Sequence, residues 1–192
     1  AAVLFSAIGI YVSSSSSSET AVSDFPSTSI LRSCFGEFCI GDSGPGGGTI
    51  IYVDKAGFNN SVEDDKSIGS MCLTGTCHYL EIALTDLDGK LSWDEAIVAA
   101  EAFSTPSAND WVLPSKEALN EICKYALGDT VNVICNDNGK GSLPLGLGSF
   151  APLYYWSSSE SDDNDAWYQS FLYGYQNVDC KNYCSYYVRP VR

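Results

Sequence analysis

Positive charge is scarce in this chain. Its 192 residues carry 10 Lys and Arg against 24 Asp and Glu, a formal net charge of −14. A surface of that sign repels phosphate backbones and anionic headgroups. The few cations are dispersed from Arg32 to Arg192 with no local patch, so nucleic acid is not expected as a partner. Histidine is scarcer still. His78 alone is available beside cysteine for a zinc site, and no Cys-x-x-Cys spacing occurs, which argues against zinc knuckles and dithiol redox motifs. The apolar opening, residues 1–12, falls short of the roughly 20 residues a membrane-spanning helix needs. The glycine stretch Gly41-Asp-Ser-Gly-Pro-Gly-Gly-Gly has neither the closing Lys-Ser/Thr nor the following helix of a phosphate loop, so nucleotide binding is not expected either.

Cysteine is plentiful by contrast. The eight fall as close couples: Cys34 with Cys39, Cys72 with Cys77, Cys123 with Cys135 and Cys180 with Cys184. An even number at short spacing without metal co-ligands reads as a disulfide framework. That in turn places the protein in an oxidising compartment, extracellular or at a cell surface. Each small loop closed in this way contributes about 2–3 kcal/mol by restricting the unfolded chain.

Three regions follow from the composition. Residues 1–12 form an apolar assembly or anchoring segment; Val3, Phe5, Ala7, Gly9 and Tyr11 alternate as a donated strand would, and self-association through this segment is expected. Residues 13–33 are a Ser/Thr-rich linker in which Ser13, Ser14, Ser15, Ser16, Ser17 and Ser18 offer hydroxyls for O-glycosylation. Residues 34–192 are the folded domain, with an N-glycosylation sequon at Asn59.

Within that domain, Thr49-Ile-Ile-Tyr-Val and Tyr79-Leu-Glu-Ile-Ala read as strands. Ser92-Trp-Asp-Glu95 is a capping box that starts a helix with Trp93, Ala96, Ile97, Ala100 and Phe103 at helical spacing. The preceding Thr85-Asp-Leu-Asp-Gly-Lys-Leu-Ser resembles a calcium loop, but its first ligand position is Leu84. Ser115 caps a second helix whose Leu119, Ile122, Cys123 and Ala126 share one face. A long polar loop follows to Phe150. The end of the chain, from Tyr154 to Arg192, then reads as a three-stranded meander: a run from Tyr154, a run from Ala166 and a final Tyr186-Tyr-Val-Arg-Pro-Val-Arg. Between the first two runs lies an acidic turn, Glu160, Asp162, Asp163 and Asp165, whose oxygens suit Ca²⁺ as a possible ion, with no other cofactor indicated. Its surroundings are too polar for the raised carboxyl pKa that glycosidase chemistry requires. His78 beside Cys77 reads as a strand-edge residue rather than a catalytic dyad.

These pieces in this order resemble the Lcl C-terminal-like family. The residues that carry the likeness are Gly41-Asp-Ser-Gly-Pro-Gly-Gly-Gly with Ile51-Tyr-Val, Trp93, Asp110-Trp-Val-Leu-Pro-Ser, Tyr155-Trp-Ser-Ser-Ser-Glu, Ala166-Trp and Tyr187-Val-Arg-Pro-Val-Arg, spanning about Cys34 to Arg192. That family has a C-type-lectin-like fold, related to formylglycine-generating enzymes and retroelement variable proteins. The resemblance implies an α+β domain, two helices on a small antiparallel sheet with N- and C-terminal strands side by side, and Trp111, Trp156 and Trp167 in the core. It also implies a ligand face formed by the long loop and the first C-terminal hairpin, here Asn132, Asn136, Asp137, Asn138 and Tyr154 with the acidic turn. The Glu-Pro-Asn or Gln-Pro-Asp tripeptide of calcium-dependent sugar binders is missing. The expected function is a non-catalytic surface recognition or adhesion module for a glycan or protein ligand. The alternative is a subunit of an extracellular filament, pilin-like or donor-strand, assembled through residues 1–12.

Overall fold

The structure is a computed structural model that describes residues 33–59, 76–128, 135, 143 and 145–192. The expectations for residues 1–12, for the linker up to residue 32, for Cys72, and for Asn132, Asn136, Asp137 and Asn138 lie outside the described residues. So does the side chain of Asn59.

The domain opens with a short hairpin, β1 (Cys34–Phe35) and β2 (Phe38–Cys39), with Cys34 opposite Cys39 and the two disulfide-bonded. A longer hairpin follows, β3 (Thr49–Asn59) antiparallel to β4 (Thr76–Ile82). His78 of β4 stacks on Phe35, and its Nδ1 lies 3.0 Å from the Asp54 carbonyl oxygen, while Cys77 is disulfide-bonded. Next come α1 (Trp93–Ala102) and α2 (Lys116–Leu127). Their boundaries are chemical: the Ser92 backbone N–H and hydroxyl both donate to Glu95, and Ser115 Oγ accepts from the Ala118 N–H. Those contacts satisfy donors that a helix N-terminus would otherwise leave orphaned. At the other end of α2, Gly128 takes a left-handed φ of 68°, a conformation that a Cβ disfavours. A second disulfide, Cys123–Cys135, ties the inner face of α2 to the segment beyond it.

The last layer is a three-stranded antiparallel sheet of β5 (Tyr154–Glu160), β6 (Asp165–Ser170) and β7 (Gln176–Cys180), in that order. The third strand therefore differs from the expected one. It is the polar run Gln176-Asn-Val-Asp-Cys, whereas Tyr186–Arg192 forms no continuous strand and instead threads through the domain by isolated bridges, Leu91 with Tyr186, Tyr155 with Tyr187, and Ile82 and Val112 with Val191. The tail lies beside β4, Glu81 and Arg192 exchanging backbone bonds of 2.9 and 3.0 Å, and not directly beside the N-terminal strand β3 as the resemblance implies. Pro190 explains part of this, since it has no N–H to extend a ladder.

Two cores flank the C-terminal sheet. On one side α2 packs with β3–β4 and Tyr155, Phe150 and Phe171. On the other, α1 brings Trp93, Ala96 and Ala100 against Trp156, Ala166, Tyr168 and Val188. Trp111 and Trp156 are fully buried, as implied. Trp167 is not: it is half-buried, with the Lys116 ammonium 4.9 Å from its ring centroid.

Buried charges lock the layers together. Arg189 is 1% exposed; its Nε donates to Asp86 Oδ1 at 2.7 Å and its terminal nitrogens to the carbonyls of Ala83, Leu84, Gly148 and Ser149. Asp86 Oδ2 accepts from the Tyr155 hydroxyl at 2.7 Å, and that hydroxyl accepts from the Ala151 N–H. The Asp86 carboxylate, which sits at a ligand position in the calcium-loop reading, is thus committed to an internal bond. Arg192 makes a second knot, forked onto Asp110 and also reaching Glu81. The glycine stretch serves that same carboxylate: Gly46 and Gly48 N–H groups donate to Glu81 at 3.0 and 2.6 Å. A Cβ on Gly48 would stand 2.1 Å from the Ile82 carbonyl oxygen, so side chains are sterically excluded there.

Candidate functional site

Antiparallel partners share a face of a sheet. Tyr154 and Trp156 of β5, Tyr168 and Ser170 of β6, and Asn177 and Asp179 of β7 accordingly lie on one side, and Tyr155, Trp167, Gln169, Gln176 and Val178 on the other. The first side packs against α1 through Trp156, Ala166 and Tyr168, with Tyr154 and Tyr186 bordering that core. The same side continues as a tyrosine platform. Tyr154 meets Tyr168 and Tyr186 edge-on or tilted at 5.1 and 5.3 Å, Tyr168 meets Tyr175 at 6.3 Å, and Tyr173 and Tyr175 lie parallel at 6.1 Å. Tyr173 and Tyr175 are 41% and 42% exposed, high values for side chains of their apolar area.

The turn that presents these two rings is held from beneath. Gln169, fully buried, donates from Nε2 to the carbonyls of Gly174 at 2.7 Å and Tyr175 at 3.4 Å. Ser170, also fully buried, accepts the Tyr173 N–H on its Oγ at 3.1 Å, and its backbone bonds Gly174 and Tyr175. Gly174 supplies the φ of 85° that the turn requires. Gln169 Nε2 and Ser170 Oγ thus direct their bonds to a surface loop, while the buried Gln169 Oε1 has no hydrogen-bond partner among the described residues.

Hydroxyls line the platform. Tyr154 and Tyr175 bring theirs to 3.5 Å, and that bond raises the Tyr154 pKa. Burial chiefly raises that of Tyr168, and burial followed by the bond to Asp179 raises that of Tyr186. All three remain neutral donors and acceptors at physiological pH. Asp179 accepts from the Tyr186 hydroxyl and from the Cys180 N–H, and Asn177 Oδ1 from the Val178 N–H. Ser170 bonding Tyr175 sets the alternation along β7, so the Val178 and Cys180 donors point away from β6. The outer edge of β7 is thereby capped by its own side chains, which blunts strand addition there.

Of the expected site residues, Tyr154 sits on this platform and the acidic turn lies at the opposite end of the β5–β6 hairpin. In that turn Glu160 pairs with Lys181 Nζ at 2.5 Å, and the same ammonium reaches the Asp162 carbonyl at 2.6 Å and lies over Trp93. Asp162 Oδ1 accepts from the N–H groups of Asn164 and Asp165, bonds that lower its pKa. Asp163 is exposed and Asp165 opens β6. Among the described residues these four carboxylates do not converge as a ligand set. The one group that does is Asp179 with Cys180 and Cys184, whose sulfurs are joined in a disulfide. The exposed Tyr173–Tyr175 pair was missed because adjacent aromatics in a strand-rich segment read as core; the Gly174 between them was the available signal of a turn.

An α+β domain with three disulfides among its described residues is of the kind found in surface or secreted proteins; no described helix is long and apolar enough to cross a membrane. The model of the Lcl C-terminal domain matches residues 70–192, about two thirds of the chain. The chain belongs to that family. The match begins after β1–β3, later than the Cys34 start that the motifs suggest. No curated protein matches the chain.

Proposed function

We propose that the domain is a non-catalytic recognition module of C-type-lectin-like fold, which holds a glycan or protein ligand against the tyrosine platform at a cell surface. The observation that carries this reading is the pinned turn: two large, exposed aromatic rings are set in place by two fully buried polar side chains, Gln169 and Ser170. Amphipathic rings held rigidly lose little entropy on binding, which is how aromatic anchors gain affinity. A non-catalytic role fits the platform's shifted groups: the raised pKa values of Tyr154, Tyr168 and Tyr186 keep them protonated at neutral pH, so none is poised as a base or nucleophile.

Binding at the platform needs no calcium: Glu160 pairs with Lys181 and Asp162 with its own turn, at the end of the β5–β6 hairpin away from the platform. The filament alternative rests on residues 1–12, which lie outside the described residues, so the platform carries the conclusion. The test is saturable binding of the full chain to intact cells or extracellular matrix. Tyr173→Ala with Tyr175→Ala abolishes it while leaving the unfolding midpoint in place; undiminished binding by that variant would remove the proposal.

A further inference from the structure

The geometry points to an uncharged sugar ring as the ligand of the platform, an inference that rests on the recognition reading above. Three observations carry it. The first is the exposed ring pair. Tyr173 and Tyr175 lie within 8° of parallel and are each about two-fifths exposed on a turn that buried Gln169 and Ser170 hold. The face of an aromatic ring is the negative pole of its quadrupole. The axial C–H bonds on one face of a pyranose are weakly positive and flat enough to lie on it. The second is the hydroxyl rim. Tyr154 and Tyr175 place two phenol oxygens 3.5 Å apart at the edge of those rings, and both donate and accept, as vicinal sugar hydroxyls do.

The third is charge. Most of the described cations are engaged elsewhere. Lys116 lies over Trp167 on the opposite face of the sheet, Lys90 over Tyr187, Lys124 is bound to Glu121 and Lys181 to Glu160, Arg189 and Arg192 are in internal knots, and Lys55 lies in the separate β3–β4 hairpin. With a formal charge of −14 on the whole chain, an anionic glycan meets repulsion, and the described residues of the platform supply no counter-charge to offset it. The carboxylate that could draw a basic peptide, Asp179, lies opposite Ala166, at the far end of β7 from the Tyr173–Tyr175 pair, so the rings and their hydroxyl rim carry no charge of their own to answer it. What remains is a ligand with an apolar face, many hydroxyls and no charge. Binding of that kind is insensitive to salt and to chelators.

The test presents the full chain with three immobilised probes: neutral gluco- and galacto-oligosaccharides, heparin, and poly-lysine, each with and without a chelator and at low and high salt. The expected result is binding to a neutral oligosaccharide that salt and chelator leave unchanged. Tyr175→Ala weakens it at least tenfold, and Tyr175→Phe, which keeps the ring, by less than Tyr175→Ala. Attachment only to heparin or only to poly-lysine, lost in the same tyrosine variants, overturns the neutral-sugar inference and leaves the recognition module standing. Failure to bind any neutral probe overturns it as well, and the recognition reading is then decided separately by the cell-surface assay.

Discussion

Tyr154 and Tyr155 are neighbours in one strand and belong to different parts of the molecule's physics. Tyr155 is fully buried, and its hydroxyl is held between the Ala151 N–H and the carboxylate of Asp86, itself bonded to Arg189. Tyr154 faces the other way, half-buried among Tyr168, Tyr175 and Tyr186, with a hydroxyl bond of 3.5 Å to another surface tyrosine. The inner face joins elements far apart in sequence through desolvated charges. The outer face is a set of rings arranged around a turn. At this end of β5 a one-residue step crosses from the charge knot to the tyrosine rings, and the next residue, Trp156, returns to the outer side inside the second core.

The largest expected effect breaks the inner side. Arg189→Ala leaves Asp86 unpaired in a mostly buried position and orphans several carbonyls, at a cost of about 3–5 kcal/mol, measurable as a lower urea midpoint. A midpoint within error of wild type would show that the knot is not a stability element. Gln169→Leu comes next. It frees the buried carbonyl of Gly174, costing about 1–3 kcal/mol, and it disorders the platform, so ligand binding falls as well; a variant that binds like wild type would separate the turn from the site.

A smaller effect is read in acid. The bond to Arg192 holds the Asp110 carboxyl below its usual range. A group with a depressed folded-state pKa contributes stability that is present above the unfolded value of about 4 and is lost as pH falls through the folded value. Asp110→Asn flattens that part of the stability–pH curve below about pH 4, and a curve unchanged by the substitution counts against the pair. At the alkaline end Tyr155 and Tyr186 have raised values, so their contribution is full below about pH 10 and declines above it as the unfolded chain ionises.

Much of the scaffold is legible from local patterns. The Ser92 and Ser115 caps, the helical spacing behind them and the β5–β6 hairpin all depend on residues within a few positions of one another. β7 is not legible, because an edge strand whose side chains cap its own donors is polar throughout, as Asn177 and Asp179 are. The tail misleads for the opposite reason. Tyr186, Tyr187 and Val188 have strand composition, yet the segment is an internal strut whose Arg189 and Arg192 reach partners 82 to 111 residues away. Periodicity within a window carries no information about such pairings. The glycine stretch has a partner that no local pattern signals, the buried Glu81 near the end of β4, between Leu80 and Ile82.

The division between the two faces of β5 is tested most directly by urea unfolding of Tyr155→Phe and Tyr154→Phe side by side. Each loses one oxygen from the same strand. Tyr155→Phe leaves the Ala151 N–H and an Asp86 oxygen without their partner and lowers stability by about 1–3 kcal/mol, while Tyr154→Phe changes it by less than about 0.5 kcal/mol. Equal losses, or a larger loss for Tyr154→Phe, would contradict the account.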